Sequence, residues 1–158
     1  MDSYLVVKTL HILSSTILFG TGIGTAFHGL MSNRSGSLPA RRTANRNVVI
    51  ADWLFTTPAV VVQPLTGIWL ANKIGLSISS GWAGVSLLLY LITVACWLPV
   101  VWIQIEIHRI TSTMEEGGSL PRRYHRLSLA WFILGWPALV SMLGIFWLMV
   151  AKPDNRWF

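Results

Sequence analysis

The chain has 158 residues, of which 53% are hydrophobic and only 11% are charged, whereas a soluble domain has about 25% charged residues. This composition excludes an ordinary soluble enzyme and predicts an integral membrane protein with a single domain over residues 1–158. The net charge of +6 does not indicate nucleic-acid binding, because the arginines cluster in two short loops between apolar segments.

Four apolar segments are long enough to cross a bilayer, which takes about 20 helical residues. In chain order they cover residues 4–31, 48–72, 82–108 and 127–151. A helix is the only open-chain structure that satisfies its own backbone hydrogen bonds in lipid. The sequence therefore predicts an all-α protein, a bundle of four transmembrane helices.

The first segment begins with "YLVVKTLHILSS", which places Lys8 and His11 one helical turn apart on the same face. His11 lies ~10 Å inside the span at 1.5 Å per residue, too deep to reach water as the longer Lys8 does. Two interpretations stay open. The neutral imidazole can ligate heme iron, or it can form a hydrogen bond to a neighbouring helix near Gln63.

The same segment continues with "GTGIGTAFHG", in which Gly20 and Gly24 are four residues apart. A dinucleotide-binding loop is excluded, because that motif needs a preceding strand in a soluble βαβ unit. Small residues at this spacing predict the close approach of a neighbouring helix. Alternatively, the flat face makes room for a planar ligand such as a porphyrin.

The loops after the first and third segments carry eight arginines: Arg34, Arg41, Arg42, Arg46, Arg109, Arg122, Arg123 and Arg126. The opposite end has four basic residues: Lys8, Lys73, Lys152 and Arg156. The positive-inside rule therefore places both arginine-rich loops in the cytoplasm and both termini outside. The Gly, Ser and Pro content of these loops is typical of linkers.

Five more ionisable residues fall near the cytoplasmic ends of the predicted helices: His28, Asp52, Glu106, His108 and His125. Together they are a candidate site for a metal ion, for a second heme or for proton transfer. The alternative is that they reach water and pair with the loop arginines. The single cysteine, Cys96, excludes a paired-cysteine metal site.

Six stretches carry a resemblance to a known family: "YLVVKTLHILS", "NVVIADWLFTTPA", "TGIWLA", "CWLPVVWIQI", "YHRL" and "GWPA". Through them the chain resembles the predicted bacterial integral membrane proteins called domain of unknown function 2269 (DUF2269). The resemblance covers nearly the whole chain and implies a bacterial inner (plasma) membrane location. It implies no established activity.

More distantly, the chain resembles the four-helix protoporphyrinogen oxidases of the HemJ type and copper-resistance D-like membrane proteins. "YLVVKTLHI" is similar to the opening pattern of the oxidases, and His11 matches a histidine regarded as their heme ligand. "TTP" at 56–58 and "SGW" at 80–82 also match. The chain lacks the lysine that follows "SGW" in those oxidases, and "LGW" replaces the Asn-Glu that precedes their fourth-span proline.

These observations predict a heme b-binding membrane protein with a redox or heme-related role. His11 would ligate the heme iron and Lys8 would neutralise a propionate. Membrane oxidoreductase activity stays open. The alternative is a non-catalytic accessory protein or a copper-handling protein. The partners expected are the lipid bilayer and either further copies of the chain or another membrane protein.

Overall fold

The computed structural model describes residues 2–79, 81–115 and 117–153, and Ser80 and Arg156 lie outside these ranges. The described residues form helices and short turns and contain no strand. They include five α-helices: α1 (Ser3–Arg34), α2 (Leu38–Ala51), α3 (Thr57–Lys73), α4 (Gly81–Thr113) and α5 (Arg122–Ala151).

A π-helical turn at Asp52–Thr56 joins α2 to α3, so that Leu38–Lys73 is one continuous helix. With α1, α4 and α5 it makes four helices that are long and apolar enough to cross a membrane. The prediction of an all-α protein with four transmembrane helices is therefore confirmed.

The first arginine-rich loop is much shorter than its composition suggested. Only residues 35–37 separate α1 from α2. The Ser37 side chain accepts a hydrogen bond from the Ala40 N–H, and Pro39 lies in the first turn of α2. A serine cap and an early proline are helix-start signals. The linker prediction for residues 38–47 is therefore wrong, because this stretch is helical.

The four spanning helices pack as two pairs. Helix α1 packs along α3 and α4 packs along α5, whereas α1 and α5 touch only slightly. One such contact is the edge-to-face pair of Phe19 and Phe146, with ring centroids 5.3 Å apart. Helix α2 contacts both α1 and α4, so it joins the pairs at the arginine-rich end.

Arginines of α2 bind the carboxyl ends of two other helices. Arg42 donates from Nε to the Thr111 carbonyl oxygen at 2.8 Å and from its terminal nitrogen to the Met114 carbonyl. Arg41 donates to the Asn33 carbonyl near the end of α1 at 2.9 Å. The last carbonyls of a helix lack partners within the helix and carry partial negative charge. These two arginines therefore cap α4 and α1 and hold α2 against both.

Pro64 leaves a carbonyl of α3 without its helical partner, since proline has no N–H to donate to the residue four positions earlier. That residue is Val60, and the Tyr90 hydroxyl of α4 donates to its carbonyl oxygen. The carbonyl that Pro64 leaves without a partner thus accepts a hydrogen bond that joins the two helix pairs.

Gly20 and Gly24 do not mediate helix packing within the chain. No atom lies within 4 Å of the position that a Cβ would take at either residue. Both residues are exposed on the outer surface of α1. The packing prediction is therefore wrong for the helices of this chain. The close approach occurs at Gly144 instead, where a Cβ would lie 3.0 Å from Leu89 Cδ1.

The bond between Tyr90 and Val60 gives a first prediction. Tyr90→Phe should lower the free energy of unfolding in detergent micelles by about 0.5–2 kcal/mol, since it leaves the Val60 carbonyl without a partner. Tyr4→Phe is the matched control, because no described residue accepts a hydrogen bond from the Tyr4 hydroxyl.

The Pro64→Ala background tests the reason for this loss. Alanine restores the N–H that bonds to Val60 within the helix, so Tyr90→Phe should cost much less in this background. An equal cost with proline and with alanine at position 64 would contradict the explanation.

Candidate functional site

A cleft of about 750 Å³ lies between the two helix pairs and is lined by all four spanning helices. Most of its lining side chains are apolar, and its polar groups gather at two places. We call the first the histidine end, which contains Lys8, His11 and Gln63, and the second the aspartate end, which contains Asp52 and Gln104. The volume is within the ~300–1,000 Å³ range of small-molecule and cofactor sites.

At the histidine end, Thr66 of α3 contacts the ring of His11. His11 Nδ1 lies 2.9 Å from Thr66 Oγ1. The Thr66 hydroxyl also lies 2.7 Å from the Val62 carbonyl oxygen and 3.1 Å from that of Gln63, and it can donate to either. When its one hydrogen is used there, Thr66 Oγ1 can accept from His11 Nδ1–H, which is the tautomer that leaves the lone pair of the neutral ring on Nε2.

The second ring nitrogen faces Gln63. Gln63 Nε2 lies 3.3 Å from His11 Nε2, and in the same tautomer its N–H donates to the lone pair there. Gln63 is held in turn by Ser14 of α1, whose hydroxyl donates to the Gln63 side-chain oxygen. His11 thus bonds to a neighbouring helix at Gln63, as the second interpretation of the sequence expected.

Thr66 and Gly67 are site residues that sequence reasoning missed. A Cβ at Gly67 would lie 3.1 Å from His11 Cε1, so only glycine lets the imidazole pack this closely against α3. The signal was present in "QPLTG" at 63–67. Gln63, Thr66 and Gly67 are three and four residues apart, which puts a polar and small stripe on one face of an apolar helix.

Lys8 lies at the mouth of the cleft. Its side chain is exposed, and its Nζ lies 5.9 Å from the centre of the Tyr4 ring. Two methionines of α5, Met142 and Met149, line the same cleft. The cleft as a whole thus contains one imidazole, one ammonium group and two thioethers around an apolar volume.

The aspartate end is built on the π-helical turn. Asp52 is buried there, and the Gln104 side-chain amide of α4 donates to its Oδ2 while accepting from Trp131 Nε1 at 3.2 Å. Thr56 and Trp97 also lie beside the carboxyl group. Neither the Thr56 hydroxyl nor the Trp97 N–H forms a hydrogen bond of normal geometry with any described residue. π-Helical turns often mark functional sites.

The other members of the predicted inner cluster do not gather around Asp52. Glu106 forms an ion pair with Arg123, with 3.0 Å between Oε1 and Nη2; Arg123 lies in the first turn of α5 and not in a linker as its loop-like composition predicted. His28 and His125 are exposed and His108 is half-buried. Among the described residues, no three His, Cys, Asp or Glu side chains are grouped as a metal-ion site requires. Glu106 thus pairs with one of the arginines that the alternative interpretation named, although that arginine is helical.

The comparisons with known proteins agree with the helical architecture. A family model described as "Predicted integral membrane protein (DUF2269)" matches residues 5–153. No curated protein and no solved structure matches the chain. These comparisons do not connect it to the protoporphyrinogen oxidases or to the copper-resistance proteins. Because the family model covers nearly the whole chain, this protein belongs to the DUF2269 family of predicted integral membrane proteins.

Proposed function

We propose that this protein binds heme b at the histidine end of the cleft and has a redox or heme-handling role in the membrane. His11 Nε2 would be an iron ligand. The observation that carries the proposal is the 2.9 Å contact between His11 Nδ1 and Thr66 Oγ1, because a hydrogen bond from Nδ1–H to Thr66 would leave the lone pair of the ring on Nε2. Heme supplies one-electron redox chemistry when it is bound.

Thr66 has the role that metal-binding histidines need from a neighbour. Such histidines almost always donate their second ring N–H to a nearby acceptor, which fixes the tautomer and the orientation of the ring. Gln63 is the group that iron would displace. Its contact with Nε2 is 3.3 Å, at the long end for a hydrogen bond, so its displacement costs little.

The surroundings of His11 fit a large apolar cofactor better than a bare metal ion. A bare ion such as Zn²⁺ usually takes three or four protein ligands, and the described residues bring no such set together. Heme needs one or two axial ligands and a large apolar volume. The apolar walls of the cleft supply the volume, and Met142 or Met149 offers a thioether as second ligand.

Lys8 fits the polar edge of the same cofactor. Its ammonium group lies at the cleft mouth, where it can pair with a propionate carboxylate by a charge-assisted hydrogen bond. The apolar face of a porphyrin would then lie inside the cleft, with its carboxylates near the membrane surface.

The absorption spectrum tests the proposal directly. Protein purified in mild detergent after expression with ample heme should show a Soret band that shifts on reduction. His11→Ala should abolish this band, because it removes the proposed iron ligand. His28→Ala is the matched control, since His28 is exposed and away from the cleft lining. A colourless wild-type protein would overturn the proposal in favour of the non-catalytic accessory alternative.

Two further variants should change heme affinity in opposite directions. Thr66→Val removes the acceptor that orients His11 and should weaken binding about 10–100-fold. Gln63→Leu removes the amide that competes with iron for Nε2. It should tighten heme binding about 2–5-fold, because the hydrogen bond that iron must displace is worth roughly 1 kcal/mol or less. Heme titration into the apo-protein measures both. The proposed coordination by Nε2 fails if the two variants change affinity in the same direction.

We also propose that the protein lies in the bacterial inner membrane with its arginine-rich loops in the cytoplasm. The helix ends that carry these arginines lie together around α2, so they face the same side of the membrane. The positive-inside rule supports the cytoplasm as that side. His11 and Lys8 would then lie in the outer half of the bilayer.

Cysteine labelling in intact cells tests this orientation. Cys96 is the only cysteine, so Cys96→Ala gives a background without thiols. In that background a membrane-impermeant maleimide should label Ser77→Cys, between α3 and α4, and should leave Ser119→Cys unlabelled until the cells are lysed. Both positions are exposed. The reverse labelling pattern would show the opposite orientation.

A further inference from the structure

The aspartate end of the cleft carries an acceptor and two unused donors inside the membrane. Asp52, Thr56 and Gln104 are each more than nine-tenths buried, and all three line the cleft. The Thr56 hydroxyl and the Trp97 indole N–H lie within reach of the Asp52 carboxyl, but neither forms a hydrogen bond of normal geometry with any described residue. A buried donor without a partner costs about 1–3 kcal/mol. This arrangement therefore suits a ligand that satisfies these groups.

The hydrogen-bonding types around Asp52 define the ligand chemistry. Gln104 donates an N–H to Oδ2, and Trp97 offers a second N–H. A bare metal cation is disfavoured, because no further His, Cys, Asp or Glu side chains of the described residues group with Asp52 as a metal site requires. The donors around the carboxylate suit a ligand oxygen that accepts from Trp97 or Thr56 and donates its own hydrogen to Asp52. A hydroxyl group has this combination.

The surroundings of that hydroxyl favour an aromatic one. The indole rings of Trp97 and Trp131 line this end of the cleft, and indoles pack well against flat aromatic rings. The rest of the lining is mostly apolar and comes from all four spanning helices. A ligand that combines a hydroxyl on an aromatic ring with an apolar chain belongs to the lipid-soluble hydroquinones.

We propose that the aspartate end binds the ring of a lipid-soluble hydroquinone, with its hydroxyl between Asp52 and the donors Thr56 and Trp97. This inference does not rest on heme binding. Thr56 and Gln63 are seven residues apart along one helix, about 10 Å at 1.5 Å per residue, so the two ends of the cleft are separate.

The test compares the reduced and oxidised forms of a short-chain quinone. Decylquinol and decylquinone are titrated into heme-free protein in nanodiscs, and the quenching of tryptophan fluorescence gives Kd. Wild-type protein should bind the quinol more tightly than the quinone, because only the quinol hydroxyl can both accept from Thr56 or Trp97 and donate to an oxygen of Asp52. Absence of binding, or equal binding of both forms, would overturn the proposal.

Asp52→Asn gives the sharper measurement. The amide has the same shape but can donate to a quinone carbonyl, so the preference for the quinol should disappear or reverse. If Asp52 had a purely structural role, Asp52→Asn would weaken the binding of both forms equally, and that result would also overturn the proposal. Trp97→Phe keeps the packing and removes the N–H. Trp97→Phe should weaken the binding of both forms severalfold, and it serves as the second variant if Asp52→Asn does not fold.

His28→Ala is the matched control, since His28 is exposed and outside the cleft lining, so both Kd values should stay unchanged. The result for heme is independent of this one. A Soret band without quinol binding would leave the proposed function standing and remove the hydroquinone site. Quinol binding by a protein that never takes up heme would do the opposite.

Discussion

The structure depends on the requirement that polar groups inside a bilayer find partners within the protein. Helix α3 and the π-helical turn before it concentrate the groups that need partners, and neighbouring helices supply them. Tyr90 of α4 donates to the carbonyl that Pro64 leaves free. His11 and Ser14 of α1 bond to Thr66 and Gln63. Apolar contact alone gives little drive for association in lipid, because lipid chains are as apolar as the side chains. The contacts that fix helix positions are therefore also those that build the site.

The cleft exists because the two helix pairs are joined much more firmly at one end than at the other. At the arginine-rich end, Arg42 caps α4 and Arg41 caps α1, and the Tyr124 hydroxyl of α5 donates to the Asn33 side-chain oxygen of α1. Apart from this end, α1 and α5 touch only slightly. Residues of α2 that resemble a basic linker in the sequence thus set the spacing of the helices that line the site.

The spanning helices could be predicted because bilayer thickness dictates the length of an apolar segment, and the shared face of Lys8 and His11 follows from helical geometry. The start of α2 could have been predicted from the serine cap and the proline, but loop-like composition hid it. The role of Gly20 and Gly24 could not be predicted, because hydropathy does not reveal which face of a helix meets another helix. The pairing of Asp52 with Gln104 joins residues 52 positions apart and needs the tertiary structure.

The few polar groups that line an apolar cleft in a membrane determine which ligand the cleft binds. The apolar walls do not discriminate among lipid chains, porphyrins and quinones, because each of these makes apolar contacts with the walls of about the same strength. A lipid chain in the cleft leaves the Thr56 hydroxyl and the Trp97 N–H unpaired, at about 1–3 kcal/mol for each buried group. A ligand that satisfies both therefore gains a preference of one to several powers of ten over a lipid chain. At the histidine end the groups already have partners, so selection there requires a ligand that binds Nε2 more strongly than the Gln63 amide does.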